Sequence, residues 1–213
     1  MNATDCTPVL EDPESKMTHT ALVAQCEKEL GIVPDGFDDE KTWELFSSGK
    51  YVCPFFDPEY RACLPRPNNI DELAEYVGRG FFIKQDFTVS MLCFSAFNGI
   101  KKENRLRFRE DLDAFFESVF NIPHDEAQKI LRDLRNPVRE ERGKQELHAL
   151  CTDKELKPST ENILYQEIIS TRPTLSKRPV AYAYAKLIYK IAYFQANYPE
   201  AYERISLLFS HKG

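Results

Sequence analysis

The sequence predicts an all-α fold: a single bundle of about eight to ten helices wrapped around a buried helix at 179–197. Three observations predict it. Apolar residues recur at i, i+3, i+4 and i+7 over most of the chain, helix-start signals stand ahead of those stripes, and the segment "RPVAYAYAKLIYKIAYFQAN" (178–197) is apolar around nearly its whole circumference. With 213 residues, 42% apolar and 29% charged, the chain can bury a sizeable core and is far from a disordered composition.

Residues 1–17 carry Pro8 and Pro13 with little apolar content and read as a flexible tail ahead of one helical domain over 18–213. The first helix is expected from Thr18 or Thr20, with Leu22, Cys26 and Leu30 on one face, and it ends at Gly31. Asp38 or Asp39 caps a short second helix presenting Trp43 and Phe46, completing a helical pair over 18–47. A connector rich in proline and aromatic residues occupies 48–68, and the main bundle fills 69–213.

The bundle opens on a capping box. Asn69 is followed three residues later by Glu72, and Ile70, Leu73, Ala74 and Val77 form the apolar stripe. Residues 86–97 are apolar on nearly all sides, and helix is favoured there over strand because Asp86 can cap the run. Two clean stripes follow: Phe108, Leu112, Phe115 and Val119 within 103–120, then Ala127, Ile130, Leu131 and Leu134 after Pro123, a good first-turn residue. A helix from Pro137 to Cys151 has only Val138, Leu147 and Leu150 as large apolar positions and is mostly solvated; another covers 159–169, and Pro173 closes the region. In 178–197 the polar wedge is Lys186, Lys190 and Asn197, beside a strip of Tyr182, Tyr189 and Tyr193 and an alanine face that permits close helix approach. A last helix runs over 199–209 with Tyr202, Ile205 and Phe209.

A net charge of −6 disfavours nucleic acid or anionic lipid as a general partner. No secretory signal opens the chain and no apolar run approaches bilayer length, so a cytoplasmic protein without membrane association is expected. Six dispersed cysteines (Cys6, Cys26, Cys53, Cys63, Cys93, Cys151) suit reduced thiols, with Cys26 and Cys93 inside apolar segments. Cys53 and Cys63 stand ten apart with no histidine between them, and His19, His124, His148 and His211 are scattered, so no metal and no cofactor is expected.

The connector supplies the first candidate surface. Tyr51, Phe55, Phe56 and Tyr60 are rings available to pack, and with Arg61 and Arg66 they have the composition favoured at interface anchors. The bland reading is that these rings plug into the domain and seal its first two helices to the rest. A second candidate is a basic stripe, since Arg132, Arg135, Arg139 and Arg142 would lie within about 80° on one continuous helix. Pro137 threatens that continuity, and Asp133, Glu140 and Glu141 dilute the charge, which favours a solvated face with internal ion pairs.

"RGKQELH" (142–148) resembles the R-x4–6-H element of HEPN ribonucleases, which implies Arg142 and His148 acting on an RNA phosphate and its 2′-hydroxyl without a metal. Gly143 stands where that family usually has a polar residue. Residues 95–131 are similar in rhythm to TerB-like stress domains, and "ELGIVPDGFDDEKTWELF" resembles a helical peptidoglycan-binding repeat in its turn, with Asp38 and Asp39 where that family has an aromatic and a glycine. There is no Gly-rich phosphate loop, G-x-S-x-G, H-E-x-x-H or paired C-x-x-C. The expectation is therefore a module that binds another protein as an adaptor, inhibitor, effector or defence- or stress-associated regulator, without catalytic activity. The alternative is a HEPN-like ribonuclease or RNA-binding protein.

Overall fold

The computed structural model describes residues 13–50, 66–78, 107–171 and 175–210. Among these residues there are nine helices and no strand, as the apolar periodicity requires. They are α1 (Pro13–Leu30), α2 (Glu40–Ser48), α3 (Ile70–Gly78), α4 (Arg109–Phe120), α5 (His124–Asp133), α6 (Glu140–Asp153), α7 (Pro158–Thr171), α8 (Arg178–Asn197) and α9 (Pro199–Ser210). The domain expected over 18–213 divides into two compact units, one of Met1–Phe81 with Pro179–Gly213 and one of Phe82–Arg178.

In the first unit α8 is the central rod. Ala181, Tyr184, Ala185, Ile188, Tyr189, Ile191, Ala192 and Phe194 are all buried. The burial is one-sided, because Val180, Ala183 and Lys186 face solvent. Polar bonds tie the rod to three neighbours: Lys190 donates to Glu27 of α1 at 2.6 Å, the Tyr182 hydroxyl to Asp71 of α3 at 2.7 Å, and the Asp39 N–H, just ahead of α2, to the Tyr189 hydroxyl at 3.0 Å. Phe37 and Trp43 pack on the Tyr189 ring with centroids 5.2 and 5.0 Å away. α9 packs on α1, and Arg204 reaches Glu29 across that contact at 2.8 Å.

The caps explain where these helices begin and end. Asp39 accepts from the Thr42 N–H at 2.9 Å, and α2 stops at Gly49, whose φ of 68° is the left-handed conformation glycine adopts without a Cβ clash. Asn69 accepts from the Glu72 N–H at 2.9 Å, while the Glu72 carboxylate returns to the Asn68 N–H at 2.9 Å rather than to Asn69 itself. α1 begins at Pro13 and not at Thr18 or Thr20, so the tail reading of 1–17 is too long. A proline in the first turn costs no hydrogen bond, because that N–H has no partner within the helix. Cys26 is fully buried, and burial pushes its thiol up to about 11.

The second unit has its own core of Leu112, Phe115, Phe116 and Phe120 from α4, Ala127, Ile130 and Leu131 from α5, Leu147 and Cys151 from α6, and Leu164 and Ile168 from α7. Two starts differ from expectation. α4 begins at Arg109 because the Asp111 carboxylate accepts from the Arg107 and Phe108 N–H groups at 2.8 and 2.9 Å, leaving Phe108 extended and buried ahead of the helix. α6 begins at Glu140 and not at Pro137, which separates it from α5, and Val138, one of the large apolar positions expected in that helix, lies ahead of it and is 92% exposed. Pro123 likewise caps α5 from outside instead of entering its first turn. Burial holds the Cys151 thiol up at about 11. The apolar run at 86–97, Cys93 and Pro173 lie outside the described residues.

Candidate functional site

Four of the arginines singled out in the sequence cluster where α5 turns into α6. Arg132 is on α5, Arg135 and Arg139 are in the turn, and Arg142 is in the first turns of α6, so the stripe is not the face of one continuous helix. Asp133, the last residue of α5, pairs with two of them. It is fully buried, and it accepts from Arg142 through Nε at 3.1 Å and through a closer Nη2 contact, with Arg139 Nη1 3.8 Å away. The Arg142 guanidinium holds this carboxyl below its usual range against the opposing effect of burial. Both arginine side chains remain about half exposed, at 54% for Arg139 and 50% for Arg142.

The turn itself is bonded throughout. The Arg135 N–H donates to the Arg132 carbonyl at 3.2 Å, Asn136 N–H to the Asp133 carbonyl at 3.1 Å, and Arg139 N–H to the Asn136 carbonyl at 2.8 Å. The Asn136 side-chain oxygen accepts from the Val138 N–H at 3.0 Å, an Asx turn around Pro137. Gly143 fixes how closely α6 crosses: a Cβ there would lie 2.6 Å from the Leu134 amide nitrogen and 3.0 Å from the Asp133 carbonyl carbon. Lys129 of α5 adds a bond to Glu146 of α6 at 2.6 Å.

His148, the other residue of the HEPN-like element, is on the same helix as Arg142 but pairs with Glu161 of α7 at 2.9 Å, while Arg142 pairs with α5. Each of the two residues is thus tied to a different neighbouring helix. His124 pairs with Glu117 at 2.5 Å, and that hydrogen bond lets it keep its proton to higher pH than a free imidazole. Among the described residues, no group of three or more His, Cys, Asp or Glu side chains is arranged to hold a metal ion. No helix among them is long and apolar enough to cross a membrane.

Of the connector residues singled out for partner binding, only Arg66 is described. It is exposed, with its guanidinium near Gly49 at the end of α2. Tyr51, Phe55, Phe56, Tyr60, Arg61, Cys53 and Cys63 lie outside the described residues. Two features escaped sequence reasoning. Asp133 reads there as a charge that dilutes the arginines, whereas it pairs with Arg142 and Arg139; Val138 reads as one of the few large apolar positions of a helix from Pro137, although the Asn136–Pro137 pair beside it is a turn signal. No protein-family model matches this chain, and no curated protein matches its sequence.

Proposed function

We propose that this chain works by binding another protein, as an adaptor, inhibitor, effector or defence- or stress-associated regulator, and carries no catalysis of its own. One observation carries this choice over the ribonuclease alternative: the Arg142 fork is already committed to the buried Asp133 carboxylate through two donors. An arginine that must grip a scissile phosphate needs that bidentate edge for the substrate. The net charge of −6 weighs in the same direction, against a polyanionic substrate.

The residues assigned to partner binding are Tyr51, Phe55, Phe56, Tyr60, Arg61 and Arg66, because aromatic rings and arginines dominate the energetics of protein interfaces. The test has two arms. Purified chain and a Phe55→Ala, Phe56→Ala, Tyr60→Ala triple variant, matched in thermal unfolding, are compared for retention of partner proteins; the expected result is a specific partner lost by the variant, and undiminished retention defeats the loop assignment. Incubation with labelled RNA should give neither cleavage nor salt-sensitive binding. Cleavage that disappears in His148→Ala would replace the binding module with the enzyme.

A further inference from the structure

We propose that the α5–α6 turn is a second docking surface, which takes an acidic segment of a partner protein with Val138 as its apolar anchor. The inference rests on the reading of the chain as a protein-binding module, but it uses residues that reading does not use. Val138 is 92% exposed, the extreme among the exposed large apolar side chains of the described residues. It projects from a turn whose backbone is bonded at Arg135, Asn136, Val138 and Arg139, so presenting it to a partner costs little further ordering.

The surroundings set the chemistry of the partner. Arg132 and Arg135 are exposed, and Arg139, 3.8 Å from the buried Asp133, keeps about half of its side chain in solvent, while Arg142 is committed to Asp133 and is not part of the docking surface. The nearby acids are largely spent: Asp133 is buried, and Glu140 accepts from Lys144 at 2.7 Å and from the Tyr165 hydroxyl at 2.5 Å, leaving Glu141 exposed. On a chain of net charge −6, three arginines with exposed side chains, Arg132, Arg135 and Arg139, stand within six residues of this exposed valine along the turn. Such a centre-and-rim pattern suits a protein segment in which aspartate or glutamate flanks an aliphatic or aromatic residue. A nucleic-acid backbone would satisfy the arginines but offers nothing to cover Val138.

The experiment is selection from a random dodecapeptide display library on the full chain, followed by affinity measurement with the synthesised consensus peptide. The expected outcome is enrichment of acidic peptides containing an apolar residue. Their affinity should fall at least about tenfold in Val138→Ser and again in Arg135→Glu, weaken with added salt, and be untouched by the Phe55, Phe56, Tyr60 triple variant. Both turn substitutions are at exposed positions, and unchanged unfolding midpoints verify that the fold survives. Enriched peptides that ignore the turn variants and respond to the triple variant would overturn this surface and leave the general binding reading intact. Failure to enrich any acidic peptide, or RNA displacing the peptide from the turn with affinity independent of Val138, would also overturn it.

Discussion

Asp39 and Asp133 are both aspartates at the edge of a helix, and both hold their charge more firmly than a free carboxyl, yet they are held in opposite ways. Asp39 receives neutral donors: the Thr42 N–H at 2.9 Å, the Thr42 hydroxyl at 2.6 Å and the Asn197 amide at 2.9 Å. Burial works to raise its pKa, and these hydrogen bonds outweigh it. Asp133 is held by cations, Arg142 directly and Arg139 at longer range. The first arrangement consumes its polar groups inside the unit. The second neutralises a buried carboxylate with guanidiniums whose side chains stay about half exposed.

The strongest way to break the contrast is Gly143→Ala. The gain in helix propensity is about 1 kcal/mol, but the added Cβ meets backbone at 2.6 Å, and backbone cannot rotate aside. The expected net loss is about 1–3 kcal/mol in urea unfolding, as for other overpacked contacts. Loosening of the α5–α6 turn should appear as faster amide exchange at Arg139 and Gly143, whose N–H groups bond back into the turn.

Next in size is Asp39→Ala, which removes the α2 cap and the acceptor for Asn197. A loss of about 0.5–2 kcal/mol is expected by the same measurement, with Asp39→Asn recovering much of it, since asparagine also accepts from a helix N–H.

The smallest effect sharpens the comparison by pH and salt. Both folded-state values lie below the free carboxyl's, so both carboxylates contribute stability that is complete above the unfolded value and is lost as pH falls through the lower folded one. Side-chain carboxyl titration by NMR should find both depressed. High salt should move the Asp133 value only slightly, because a buried carboxylate bonded directly to Arg142 is screened weakly, and the Asp39 value, held by neutral donors, less still.

The helices were legible in the sequence wherever a stripe and a cap agreed, as at Asn69 with Leu73, Ala74 and Val77, or around Ala127, Ile130 and Leu131. The central role of α8 in its unit was legible for a related reason: a helix with so little polar surface must find cover. Boundaries failed where proline was ambiguous. Pro13 opens a helix and Pro137 separates two, although both look alike as punctuation. The arginine cluster was legible as composition but not as geometry, because Asp133 and Arg142 meet only once the turn has reversed the chain. Nothing in local spacing encodes that meeting, nor the closeness of approach that Gly143 permits.

The first unit is built from two stretches of chain with the whole second unit between them. On the ribosome, α1, α2 and α3 therefore emerge long before the helix they close upon, and the Asp39 N–H cannot find the Tyr189 hydroxyl until the chain has been synthesised past residue 189. The second unit, continuous in sequence, is free to finish first. Translation that stops after Arg178 would leave Glu27, Asp71 and the Asp39 N–H without their hydrogen-bond partners on α8.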